Sequence, residues 1–179
     1  MPTILVGLGN PGEEYAHTYH NVGFLALDDM AIHHGATGAS AWHQAPGKSF
    51  VFLKLDPLVL VKPTTFMNDS GKAVREALKF FGSDREHLVI LHDDSDLPIG
   101  TYKYEGGRGS AGHHGIESVV DALRSQEFLR VRIGIRPPTP EGTKRKKASD
   151  FVLAHISAPH LNTLHSLFGE VAVKLIENE

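Results

Sequence analysis

A chain of 179 residues with 41% hydrophobic and 22% charged side chains has the make-up of an ordinary globular protein and reads as one domain spanning 1–179. The absence of Cys excludes disulfides, a thiolate nucleophile and any zinc site built on thiolates, and no apolar stretch reaches the ~18–20 residues of a membrane helix. The net charge of −3 hides an uneven spread: Thr101–Ser149 holds ten Lys/Arg against five Asp/Glu, and the remainder eight against sixteen, so a basic segment sits on an acidic body.

From the N-terminus, Met-Pro-Thr-Ile-Leu-Val-Gly has neither a basic leader nor a cleavable apolar region, so the cytoplasm is the expected location. Thr3–Val6 reads as a short buried strand. Val22 to about His34 reads as a helix, with Asn21 as its N-cap and Gly35 as its stop. Ser40–Ala45, Lys48–Leu55 and Leu58–Val61 read as strands joined by turns at Pro46-Gly47 and Asp56-Pro57. Such close spacing requires antiparallel hairpins. The expected fold is therefore α/β, a single-domain mixed, twisted sheet flanked by helices.

A second helix begins near Ser70, because Val74, Ala77, Leu78 and Phe81 fall at helical spacing before Gly82. Leu88–Leu91 is another buried strand, Thr101–Glu105 a further one after the turn at Pro98–Gly100. Gly106–Gly115, with five glycines, leads into a helix at Ile116–Leu123. Leu129–Ile135 closes the sheet, and Pro137–Ser149 is a long exposed loop carrying Lys144, Arg145, Lys146 and Lys147. The last helix is capped by Ser157, and Leu161, Leu164, Phe168, Val171 and Leu175 form its buried seam.

Three apolar strands each run into a polar loop: Gly-Leu-Gly-Asn-Pro-Gly at 7–12, Lys-Pro-Thr-Thr-Phe-Met-Asn at 62–68, and His-Asp-Asp-Ser-Asp-Leu-Pro at 92–98. In α/β proteins such loops form the ligand crevice. Gly7, Gly9 and Gly12 spell a dinucleotide fingerprint, but the second parallel strand with its acidic end is missing. A turn that carries Asn10 into a cleft is the better use of them. Among twelve histidines, His20 stands apart at the start of a helix beside Asn21. His92, Asp93, Asp94 and Asp96 admit a metal site or a single carboxylate that orients an imidazole. The second reading is preferred, because the neighbouring loops offer Asn10 and Asn68, good substrate partners but poor metal ligands, and Asp94 and Asp96 are then expected to serve a solvated turn. With Asp69 and Ser70 both able to cap the following helix, Asn68 is free to face a ligand, walled by Phe66 and Met67.

Taken together, VGLGNPG at 6–12, HN at 20–21, KPTTFMN at 62–68 with Ser70-Gly71, HDDSDLP at 92–98, GHHG at 112–115, RVRIGI at 130–135 and FVL at 151–153 resemble the bacterial peptidyl-tRNA hydrolase family. They occur in its order and at its spacing across nearly the whole chain. The resemblance implies a monomeric α/β enzyme without metal or cofactor that hydrolyses the ester joining a peptide to tRNA. Residue by residue it implies His20 as catalytic base and Asp93 as its partner. Asn10, Tyr15, Phe66, Met67, Asn68, His113 and His114 fall on substrate-binding positions, and Lys103 and Arg132 on positions that hold tRNA phosphates; Lys144–Lys147 would extend that basic surface. One departure stands out. Where the family reads Gly-Gly-His-Asn-Gly, this chain has Ala111-Gly112-His113-His114-Gly115, which puts an imidazole where an amide is usual. A relative that has lost hydrolysis and serves as an RNA-binding protein is the alternative within the same resemblance, and a metal-dependent phosphoesterase a more distant one.

Overall fold

In the computed structural model, which describes residues 1–36, 41–107, 109–140 and 142–177, seven strands make one mixed sheet. They are β1 (Thr3–Gly7), β2 (His43–Gln44), β3 (Phe50–Leu55), β4 (Leu58–Pro63), β5 (Leu88–Pro98), β6 (Tyr102–Gly106) and β7 (Leu129–Arg136). The helices are α1 (Val22–His33), α2 (Ser70–Phe81), α3 (His114–Leu123) and α4 (Ala158–Glu177). Strand order is β2-β3-β4-β1-β5-β7-β6. The four central strands β4, β1, β5 and β7 are parallel, whereas β2, β3 and β6 pair antiparallel at the two edges.

Side chains alternate across a strand, and both faces of this sheet are covered. Leu5, Leu60, Val89 and Leu91 pack with Val22, Leu27 and Met30 of α1 and with Leu164, Phe168 and Val171 of α4. Ile4, Val6, Val61, Leu88 and Ile90 pack on the other face with Val74 and Ala77 of α2 and Ile116 and Val119 of α3. The α2 stripe read from the sequence is the buried one, and Gly82 ends that helix with φ +62° in the left-handed region, which glycine adopts without steric cost. No helix among the described residues is long and apolar enough to cross a membrane.

Several expectations need correction. The strand expected over Ser40–Ala45 is a two-residue pairing, His43–Gln44, and Ser40 lies outside the described residues. The strand expected to stop at Leu91 runs on through Pro98, because β7 pairs alongside it and matches His92 with Arg132, Asp93 with Ile133 and Asp94 with Gly134. Asp94 is therefore buried rather than part of a solvated turn; Asp96 is exposed, as expected. The third helix starts two residues early, at His114, because the His113 ring accepts a hydrogen bond from the Ile116 N–H at 3.3 Å and so caps it. Asn21 makes no side-chain cap on α1; its amide is used elsewhere.

Candidate active site

Because β4, β1 and β5 are parallel neighbours, the loops after β4 and β1 and the carboxyl-terminal half of β5 lie side by side at one end of the sheet. The loop after β1 is pressed onto the start of α1. A Cβ on Gly7 would stand 2.3 Å from the Gly23 carbonyl oxygen, and Gly12 adopts φ +112°. These glycines thus serve a close helix–strand approach and a turn, not a dinucleotide.

Asn21 fastens that turn. It accepts from the Asn10 N–H at 2.9 Å and donates to the Asn10 carbonyl at 2.9 Å, which is why it is not free to cap. Asn10, itself buried, accepts from the Met67 N–H at 2.8 Å through its side-chain oxygen. One amide thereby stitches the first loop to the second. In that second loop Met67 is buried, Phe66 and Asn68 are exposed, and Tyr15 meets Phe66 edge-on at 6.3 Å between ring centroids. Neither Asp69 nor Ser70 caps α2 with its side chain; the Ser70 hydroxyl donates to the Met67 carbonyl at 2.8 Å.

His20 lies in a tight helical turn, Tyr19–Asn21, that precedes α1. Its backbone N–H donates to the Val152 carbonyl at 2.8 Å, and Tyr19 N–H and Ile156 N–H bond across the same strip, to the carbonyls of Ala154 and His17 respectively. The segment before α4 therefore clamps the backbone of the candidate base. The His20 Nδ1 lies 2.8 Å from the Asp93 carboxylate, with the imidazole 14% exposed and Asp93 3%. A carboxylate at Nδ1 keeps the proton on that nitrogen and leaves the lone pair of Nε2 as the basic one.

Asp93 carries a second imidazole. His113 Nε2 lies 2.8 Å from the same oxygen. Its Nδ1 accepts from Ile116, so Nε2 bears the proton and donates. Burial opposes the charge on Asp93, but the attraction of His113 and His20 and their hydrogen bonds outweigh it and hold the carboxyl well below its ordinary range. For His20 burial lowers the pKa, while the charge and hydrogen bond of Asp93 raise it; the net direction is upward. Behind them His92 is fully buried and meets His113 edge-on at 4.7 Å. Burial, then the neighbouring His113, push its pKa well down, so it packs as a neutral ring.

His20, Asp93 and His113 also place three donor atoms within 4.8 Å of one another. Both nitrogens involved carry the protons that Asp93 accepts, and moving the proton of His113 to Nδ1 would face it against the Ile116 N–H. The arrangement fits a hydrogen-bonded orienting carboxylate better than a metal cage.

The cleft above this centre has a volume of about 630 Å³, and His20, Asp93, His113, His114 and Arg132 all line it. His114 is exposed at the first turn of α3, with Nδ1 3.1 Å from Glu117, whose other oxygen accepts from Ser110 at 3.0 Å. Arg132 is held by Asp94 at 2.5 Å and by Glu105, so much of its charge is balanced within the protein. Lys103 sits opposite it on β6, exposed. Arg145 pairs with Asp96, and Lys144, Lys146 and Lys147 are exposed on the loop that follows β7. Asn10, Tyr15, Phe66, Met67 and Asn68 border the centre from the other two loops rather than lining the main cleft. Sequence reasoning missed Arg130, fully buried beneath the cleft and donating to the Gly109 carbonyl at 3.1 Å, and it missed the clamp from Val152 and Ala154.

Known proteins share this chain's sequence pattern and fold. A family model described as peptidyl-tRNA hydrolase matches residues 4–177. The peptidyl-tRNA hydrolase of Lawsonia intracellularis is 37% identical over 175 residues, covering 94% of this chain and 82% of its own. That of Syntrophomonas wolfei is 43% identical over 136 residues, covering 75% and 74%. The crystal structure of the Acinetobacter baumannii enzyme superposes with a TM-score of 0.81 at 30% identity, covering 97% of this chain and 86% of that one. With a matching family model over almost its full length and a matching fold, this chain belongs to the peptidyl-tRNA hydrolase family.

Proposed function

We propose that the chain hydrolyses the ester bond between the peptide and the 3′ end of tRNA in peptidyl-tRNA, with His20 as general base, Asp93 as its orienting partner and no metal. The observation that carries this reading is the contact of His20 Nδ1 with a buried, ionised Asp93 at the floor of an open cleft. An ester needs a water stripped of a proton and a donor for the oxygen that becomes negative. Nε2 of His20 takes the water's proton. The hydroxide adds to the carbonyl carbon, and the exposed Asn68 amide, the NH2 of Asn10 or a backbone N–H meets the developing oxyanion. Collapse breaks the bond to the ribose oxygen, which leaves as a hydroxyl with the proton that His20 Nε2 returns to it. Tyr15 and Phe66 supply an apolar wall for the peptide or terminal base. We take the protein to act as a monomer in the cytoplasm, on a substrate recognised by its phosphates rather than its sequence.

Cleavage of peptidyl-tRNA by the purified chain, undiminished by a chelator such as EDTA, is the expected result. Binding of tRNA without cleavage would favour the RNA-binding alternative, and activity abolished by the chelator would favour a metal-dependent hydrolase.

Neutralising Lys144, Arg145, Lys146 and Lys147 together is expected to weaken tRNA binding while a small ester lacking the tRNA body turns over as before. For every phosphate that then goes without its cation, the plot of log K against log salt should flatten by about 0.7–0.9. An unchanged slope assigns the run to a solvated loop.

His114 is the position at which this chain departs from the family's Gly-Gly-His-Asn-Gly pattern, as the resemblance implies it. With Nδ1 directed at Glu117, the ring lines the cleft and leaves Nε2 for what enters it. His114→Asn is expected to keep cleavage of peptidyl-tRNA near that of the parent, and His114→Ala to raise KM with little change in kcat. An unchanged KM in His114→Ala would show that His114 plays no part in substrate binding.

A further inference from the structure

The residue that precedes His20 is tied by its side chain to α4. Tyr19 is 6% exposed, and its hydroxyl lies 2.6 Å from Nδ1 of His160, in the first turn of that helix. The Tyr19 ring meets Phe151 edge-on at 6.0 Å between centroids and His160 at 6.0 Å. Phe151 and His160 bracket the strip whose backbone is bonded to His17, Tyr19 and His20, and Val152 of that strip lines the cleft. Leu153, Ala154, His155 and Ser157 are exposed there, and Phe151 and Ile156 are the buried anchors. Helix α4 is seated more firmly, with Leu164, Phe168 and Val171 in the core. The Tyr19 hydroxyl thus links the turn that carries His20 to a rigidly packed helix.

We propose that Tyr19 and His160 are a positioning pair for His20, a role that rests on the reading of His20 as the base: their hydrogen bond holds the turn where the His20 ring meets Asp93. Packing on Phe151 alone needs no hydroxyl, whereas a buried phenol O–H requires a partner and so gives the contact a direction. The bond persists in both forms of His160. The neutral ring accepts at Nδ1, and the protonated ring donates from Nδ1 to the phenol oxygen. It is therefore a fixed tie and not a pH switch. The groups that face the His20 ring are Asp93, at 2.8 Å, and His113, at 5.2 Å between ring centroids. A base shifted away from its carboxylate loses aim and basicity together. Loosening that contact leaves the burial of His20 in place and weakens what Asp93 adds, so the His20 pKa falls.

Tyr19→Phe, His160→Leu and His160→Asn in the full-length chain test this through kcat and KM for peptidyl-tRNA, the His20 ring titration followed by NMR, and the melting temperature. Phenylalanine keeps the ring and removes the hydroxyl; asparagine sets its amide oxygen near the place of Nδ1. Tyr19→Phe and His160→Leu are each expected to lower kcat about tenfold with KM changed less than about twofold, and to move the His20 titration to lower pH. His160→Asn should bring both back toward the parent. Lower melting temperatures with kcat and titration unchanged would make the bond a structural tie and overturn the proposal, as would a rise in KM alone. His160 is only partly buried, so its variants carry the test even if Tyr19→Phe folds poorly. A parent that does not cleave would defeat the reading of His20 as base on its own; an unmoved titration in both Tyr19→Phe and His160→Leu would then still show that the pair does not hold the ring on Asp93.

Discussion

His20→Ala is expected to lower the rate of peptidyl-tRNA cleavage by roughly 10²–10⁴-fold, the span usual for removal of a general base, while tRNA affinity stays near that of the parent. The reasoning rests on what the substitution leaves in place. The bond that seats this turn against the segment before α4 is made by the His20 backbone N–H, so alanine keeps it. Asp93 retains its hydrogen bond from His113 and remains ionised without a large rearrangement. What disappears is the basic Nε2. Single-turnover cleavage and filter binding on the same preparation separate the two effects. A variant that cleaves nearly as fast as the parent would place the base elsewhere. A parent that binds tRNA but shows no cleavage for the variant to lose would move the protein to the RNA-binding alternative.

The parts of this molecule that are legible in the sequence are those written in local periodicity. The α2 stripe, its glycine stop and the α4 seam depend on residues within two or three turns of one another, and they fold as read. Read alone, β5 ends too early, because His92, Asp93 and Asp94 look like a loop when their partners are unseen. Two of those partners, His113 for Asp93 and Arg132 for Asp94, lie 20 and 38 residues further along the chain, and burial of a charge follows from a partner rather than from the residue itself. Asn21 reads as a cap for the same reason, since its true role is a contact with Asn10 across eleven positions. The expectation of His20 as base and Asp93 as its partner comes from the family resemblance; position alone sets His20 apart among the histidines and leaves the carboxylates at 93–96 between a metal site and an orienting role. That Asp93 meets two imidazoles at once is not legible. Nothing in the string Gly-His-His-Gly indicates which of its rings turns inward. The helix geometry decides it, burying His113 as the cap of α3 and leaving His114 at the lip.

Asp93→Asn is expected to keep the fold, lower the plateau of cleavage by roughly 10²–10⁴-fold and move the acid limb of the pH–rate profile to lower pH. The direction follows from the opposing influences on His20. Burial lowers its pKa, and Asp93 more than restores it; an amide keeps the burial and removes the charge, so the ring loses its proton more easily and is a weaker base. A working base must be neutral, so its activity then survives to more acid pH even as its rate falls. Stability should respond with its own signature. Because Asp93 is held well below its unfolded value of about 3.9, its contribution is present above that pH and is lost as acid titrates the folded carboxyl. Because His20 is raised above its unfolded value of about 6.5, its contribution is full below that pH and fades as pH rises through the folded value. The gap in melting temperature between parent and variant should therefore be widest between about pH 4 and 6.5, where both charges are present, and should narrow on either side. An acid limb that stays where it was, or a gap independent of pH, would mean that Asp93 does not set the basicity of His20. The carboxylate would then be a structural tie between β5 and the turn that carries His20.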